Sequence, residues 1–279
     1  MTSPTPITPV FAVQGTDVFV EGSGHHTVVM IHGWPDTHRL WDGAVQTLKA
    51  NYRCVRFTFP GSDAPPAGPA PSLADITARL LAIIDKASAG QPVTLLLHDW
   101  GCFFGYELAA RHPDRVARVI GVDIGDATSP AFMKSLTLGH KLMILSYQVW
   151  LATAWLIGRY LSERVADAMT RWMAGALQCP APKEGVRWFM NVPYAMTWLG
   201  AGGGLRSALR FKPHCPMLYL YGKRKPFMFH SQKWLEKLNT TPGSKAVGLS
   251  CGHWVMVDRA PEFEAQVLEW LASGEKKPA

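Results

Sequence analysis

Apolar and polar positions alternate through "FAVQGTDVFVEGSG" on either side of Gly15, which predicts a hairpin. The β-branched run "TVVMIHG" has no polar alternation, so it predicts a strand covered on both faces. "YRCVRFTFPG" and "PVTLLLHD" predict further strands. Between them, "LWDGAVQTLKAN" and "SLADITARLLAIIDKAS" carry apolar residues at helical spacing, the second behind Ser72 as N-cap. The helix "FFGYELAARHP" and the strand "RVIGVDIG" follow. Past residue 128 the pattern changes to mainly helical runs such as "ERVADAMTRWMAGAL", interrupted by "CPAPKEG" and "GAGGG". Strand–helix alternation returns with "PMLYLYG", "SQKWLEKLN", "KAVGLSCG" and "PEFEAQVLEWLA".

Such a βαβ series predicts an α/β fold: a mostly parallel sheet with helices on both faces. The expected division is a core of residues 1–128 and 207–279, with a helical cap of 129–206 inserted over one edge. Sites in such folds lie beyond the carboxyl ends of the strands. Polar residues fall there at four places: His32 to Asp36, Asp99, Asp123 or Asp126, and His253.

Composition narrows the reading by exclusion. In 279 residues, 48% hydrophobic and 18% charged, a large core is available and disorder is excluded. The net charge of +7 has its densest run at Lys223-Arg224-Lys225, with Lys276-Lys277 at the tail. Without a long basic stripe this is a solvated surface, not a nucleic-acid site. Five scattered cysteines form no C-x-x-C pair, which argues against a disulfide framework and a zinc site. "MTSPTPITPVFAV" lacks the charged and apolar regions of a signal peptide, so a cytoplasmic protein is expected. Leu142 to Gly158 has 17 uncharged residues, the lower limit for a membrane span. With Ser146, Gln148 and Thr153 inside it, a buried or pocket-lining helix is the expectation, and no stable membrane insertion.

The strand-to-helix junction "HDWG" poses the chemical question. A carboxylate buried there without partners is costly, so Asp99 is either a structural cap or a reactive group. Such an elbow presents a nucleophile at the top of the sheet. At an ordinary carboxylate pKa, an aspartate is already anionic at neutral pH and needs no base to attack. Attack on a saturated carbon gives an alkyl ester, whose hydrolysis needs a base to activate water. His253, in "SCGHWVMVD", follows a strand and precedes the last helix, where such a base belongs. Either residue alone has a hydrogen-bonded structural reading; the two in this order favour catalysis.

"HGWPD" (His32 to Asp36), "HDWG" (His98 to Gly101) and "GHW" (Gly252 to Trp254) together resemble the α/β-hydrolase fold, specifically its epoxide hydrolase branch, over essentially the whole chain. The resemblance implies Asp99 as nucleophile and His253 as general base, with the backbone N–H groups of Trp34 and Trp100 as oxyanion hole. It also implies two cap tyrosines that protonate the opening epoxide oxygen, here Tyr147 and Tyr194, with Tyr160 as a spare on the cap exterior. Trp150 and Trp198 are expected as pocket walls. The implied partners are a mid-sized apolar epoxide and water, with no metal or organic cofactor; assembly as a homodimer stays open.

Three departures from the family pattern stand out. Leu97 occupies a position, two before the nucleophile, where a small residue is usual, so a strained turn is expected. "FTFPGSDAP" keeps only a shortened glycine-rich loop. Lys225 stands where a carboxylate often follows the strand "PMLYLYG". The acid that orients His253 must then come from elsewhere, and Asp123 is favoured over Asp126 because it directly follows a core strand. Two alternatives remain: a haloalkane dehalogenase, which also pairs an aspartate with a tryptophan, and a non-catalytic ligand-binding protein of the same fold.

Overall fold

The computed structural model describes residues 7–275, so the ends of the chain, including Lys276-Lys277, lie outside the described residues. The hairpin forms as β1 (Phe11–Val13) and β2 (Thr16–Glu21), followed by β3 (Thr27–Ile31), α1 (Asp42–Leu48) and β4 (Arg53–Phe57). Next come α2 (Leu73–Ser88), β5 (Val93–His98), α3 (Trp100–Arg111) and β6 (Val116–Val122). Four helices occupy the space before the next strand: α4 (Pro130–Ser135), α5 (Leu138–Tyr160), α6 (Glu163–Ala176) and α7 (Val192–Leu199). The chain then forms β7 (Met217–Gly222), α8 (Gln232–Asn239), β8 (Lys245–Leu249), α9 (Val255–Asp258) and α10 (Ala260–Glu275).

The eight strands form one sheet in the order β1-β2-β4-β3-β5-β6-β7-β8. β1–β2 and β2–β4 pair antiparallel, and every other neighbouring pair is parallel. Side-chain parity divides the core. Val29, Ile31, Leu95 and Leu97 face α2 and α3, whereas Val28, Met30, Leu96 and Ile120 face α1 and α10. Because both faces are covered, β3 and β5 are buried along their whole length, which is why neither alternates in sequence. α2 begins at the capping box Ser72–Asp75, which satisfies its first N–H groups.

The 17-residue uncharged run is the body of α5, a 23-residue helix of the cap. Leu151, Ala152, Ala154 and Trp155 turn inward against the cap core. No described helix is long and apolar enough to cross a membrane.

Candidate active site

The elbow is tight. Asp99 has φ 50° and ψ −123°, a conformation non-glycine residues rarely adopt, and it makes no side-chain cap on α3. Its Oδ2 instead accepts the Trp34 N–H at 2.8 Å, and the carboxylate also receives the Trp100 N–H. Gly33 makes this approach feasible: a Cβ there would stand 2.5 Å from the Asp99 carboxylate. The bulk of Leu97 is accommodated within this turn. Its side chain packs where a Cβ on residue 105 would be, 2.5 Å from that position, so Gly105 on the next helix opens the space. Two positions eight residues apart compensate each other.

His253 lies across from Asp99, with Nε2 3.8 Å from Oδ1, beyond hydrogen-bond range. Its Nδ1 meets Asp123 Oδ2 at 2.5 Å. Asp123 is fully buried and its Oδ1 is held by the Gly222 N–H at 3.0 Å and by the Lys225 ammonium. The Lys225 side chain is only 8% exposed, so this is a buried charge pair and not a surface contact. Lys225 thus replaces the usual carboxylate with a cation that braces the carboxylate of the neighbouring strand. Asp126 faces elsewhere: it accepts from Ser129 Oγ, the Ser231 N–H and Ser231 Oγ, tying the start of the cap to the start of α8.

Burial raises the Asp99 pKa, opposed by the His253 charge and the two N–H donors. For His253, burial disfavours the cation, but the Asp123 charge and hydrogen bond, then the Asp99 charge, raise its pKa overall. Lys225 works against that rise. Tyr147 and Tyr194 are both pushed up by burial, Tyr194 further by the Asp99 charge, so both remain neutral hydroxyl donors. Under the elbow, buried Asp36 is raised to about 7 and accepts the Trp254 indole N–H at 2.9 Å.

Asp99, His253, Tyr147 and Tyr194 line one cavity of about 480 Å³, with Trp34, Lys225, Met143, Leu177, Phe227 and Phe229 among its walls. The Tyr194 ring stands edge-on to Trp34, Trp100 and Tyr147, with centroids 5.4–6.1 Å apart. Trp150 and Trp198 do not line this cavity. Both sit at the surface, with indole N–H groups satisfied by the Met169 carbonyl and Gln148. They are spaced like inward residues in sequence, but α5 and α7 turn them to solvent, and the expectation of pocket walls is corrected. Tyr160 is exposed as expected. Of the cap methionines, Met143 reaches the cavity, while Met173, Met190 and Met196 fill the cap core.

Sequence reasoning missed Asn191, which is fully buried and accepts the Trp34 indole N–H at 2.7 Å while donating to Thr170. Its only signal was a polar residue inside the apolar run "WFMNVPY". Phe227 and Phe229, beyond β7, were also missed as walls because their segment has no periodicity. Among the described residues no cluster of three or more His, Cys, Asp or Glu could hold a metal ion, and all five cysteines are free.

The model of the alpha/beta hydrolase fold family matches residues 26–260. A solved chain from Pseudomonas aeruginosa superposes with a TM-score of 0.72 at 20% identity, covering 99% of both chains. A Bacillus megaterium epoxide hydrolase superposes with a TM-score of 0.68 at 16% identity, covering 92% of this chain and 96% of that one. The Mycobacterium tuberculosis protein named "Probable oxidoreductase EphD" is 40% identical over 101 residues, 34% of this chain and 17% of that protein. This chain therefore spans under a fifth of that relative's length.

Proposed function

The chain belongs to the alpha/beta hydrolase fold family, and from that premise we propose that it is an epoxide hydrolase working through an aspartyl ester. One observation carries the reading: a strand-end carboxylate, an imidazole backed by a buried acid, and two neutral tyrosine hydroxyls share one cavity.

In the first step, Asp99 Oδ1, the oxygen not engaged by Trp34, attacks a ring carbon. As the C–O bond breaks, the epoxide oxygen takes a proton from Tyr147 or Tyr194, whose raised pKa keeps that proton available at neutral pH. In the second step, His253 Nε2 removes a proton from water, which adds to the carbonyl carbon of the Asp99 ester. The resulting oxyanion forms at Oδ2, where the Trp34 N–H already points, with the Trp100 N–H on the same carboxyl group. Asp123 stabilises the imidazolium and fixes the tautomer. On collapse the Cγ–Oδ1 bond breaks, and the diol leaves with Oδ1 and the proton of the added hydroxyl. Asp99 is restored as a carboxylate holding the water oxygen, and the His253 proton returns to the tyrosinate. The apolar walls Met143, Leu177, Phe227 and Phe229 suit a mid-sized apolar epoxide.

A haloalkane dehalogenase would need indole N–H groups free to hold a halide. Trp34 donates its indole N–H to Asn191, so that group is not free for a halide, which disfavours that alternative. The test is one turnover of a styrene-oxide-type substrate with excess enzyme in ¹⁸O-water. The expected first diol contains no label, and label then appears in the Asp99 carboxylate. Labelled diol in that first turnover would exclude the ester route, and halide release from haloalkanes without diol formation would replace the assignment.

A further inference from the structure

The outer surface of the cap is unusually apolar. Among the described residues, fourteen of the eighteen exposed large apolar side chains fall between Leu138 and Leu199. Six of them, Leu138, Leu142, Leu145, Val149, Leu156 and Tyr160, follow one line along α5. At roughly 100° per residue they occupy about 60° of the helix circumference, and the helix runs about 35 Å. An apolar stripe of this length in contact with water marks an interaction surface.

Its charges select the partner. Residues 129–206 hold eight Lys and Arg against three Asp and Glu, a net of +5. Basic residues directly precede exposed apolar ones at Lys141–Leu142, Arg159–Tyr160, Arg164–Val165 and Arg171–Trp172. Two of the three acids, Glu163 and Asp167, already pair with Arg187. Apolar and aromatic side chains interleaved with cations are the composition of a helix lying in the headgroup region of a bilayer. Two copies meeting through this face would bring like charges together, whereas an anionic lipid surface complements them. Away from the stripe, Met143 and Leu177 are exposed and line the Asp99 cavity.

We propose that this face of the cap docks on an anionic lipid surface. The docking is peripheral, through side chains that enter the interface without spanning the bilayer, and it does not depend on the hydrolase reading given above.

Co-sedimentation with vesicles tests it, because binding is read without turnover. The full chain is expected to bind mixed phosphatidylcholine–phosphatidylglycerol vesicles about tenfold or more tightly than pure phosphatidylcholine, and less well in high salt. Substituting Leu142→Glu with Leu156→Glu, both on the solvent side of α5, should abolish binding while turnover of a water-soluble epoxide is unchanged. Lys141→Gln with Arg164→Gln, which leaves the apolar face intact, should weaken binding to the anionic vesicles alone. Absence of binding to the mixed vesicles, or binding indifferent to both pairs of substitutions, overturns the proposal. A dimer in sedimentation equilibrium that the glutamate pair disperses would assign the face to a second copy and overturn it equally.

Discussion

The core and the cap contribute to one cavity in opposite ways. Core groups sit at strand ends and are held by several directed bonds: Asp99 by two backbone N–H groups, Asp123 by Gly222, Lys225 and His253. The cap hydroxyls are placed chiefly by ring packing, and Tyr147 has one weak partner, Gln148, at 3.2 Å. A strand end fixes an atom through the sheet's own hydrogen bonds, whereas ring packing fixes a plane and leaves the hydroxyl more freedom. The core groups proposed to make and hydrolyse an ester are thus held by more directed bonds than the cap hydroxyls proposed to meet the substrate.

The largest effect should come from the most rigid position. Asp99→Ala is expected to remove turnover entirely, a loss of about 10⁴-fold or more, with an unchanged circular dichroism spectrum; appreciable residual diol formation would move the nucleophile elsewhere. Next is the pair of carboxylates at the end of β6. Asp123→Asn should spare alkylation of Asp99 but slow ester hydrolysis by roughly 10²–10⁴-fold, so that intact-mass spectrometry finds the substrate adduct. Asp126→Asn should turn over normally and melt earlier, by about 1–3 kcal/mol of lost charge-assisted bonding. If the two outcomes are exchanged, the acid is Asp126.

Cap variants should do less singly than together. Tyr147→Phe or Tyr194→Phe alone is expected to slow ring opening by about tenfold, and both together by roughly 10²–10⁴-fold, because each hydroxyl can serve in the absence of the other. Unchanged single-turnover alkylation in the double variant would remove both from the reaction. The smallest effect belongs to Lys225. His253 must be neutral to act as a base, and its pKa is raised, so activity is expected to fall with pH at a value higher than that of an unperturbed histidine. Lys225 opposes that rise; Lys225→Met should move the acidic limb of the pH–rate profile to higher pH and lower the plateau by no more than about tenfold. A limb that stays in place would make Lys225 a purely structural partner of Asp123.

The parts of this arrangement legible in sequence are those that periodicity or a local elbow determines. The uninterrupted apolar runs at β3 and β5, the Asp99 junction and the placement of His253 before the last helices all follow from neighbours in the chain. Contacts between distant residues were not legible. Leu97 read as strain because Gly105 was not yet known to face it, and Lys225 read as a missing acid because its reach to Asp123 spans 102 positions. Trp150 and Trp198 were misplaced because aromatic content shows that a helix has an apolar side, not which side meets the cavity. Asn191 needed both halves of the fold before its bond to Trp34 could be seen.

The Asp126 knot to Ser129 and Ser231 has a consequence for evolution of the chain. It fastens the residues where the insertion departs to a helix on the far side of β7, across a sequence separation of 105. Chain-closure entropy grows only with the logarithm of length, so doubling the intervening segment costs only about 0.6 kcal/mol more. With its departure point anchored, the insertion can lengthen, shorten or be exchanged while Asp99, His253 and Asp123 keep their coordinates. The inner and outer surfaces of the cap are thereby free to diverge among descendants that inherit the same cluster at the strand ends.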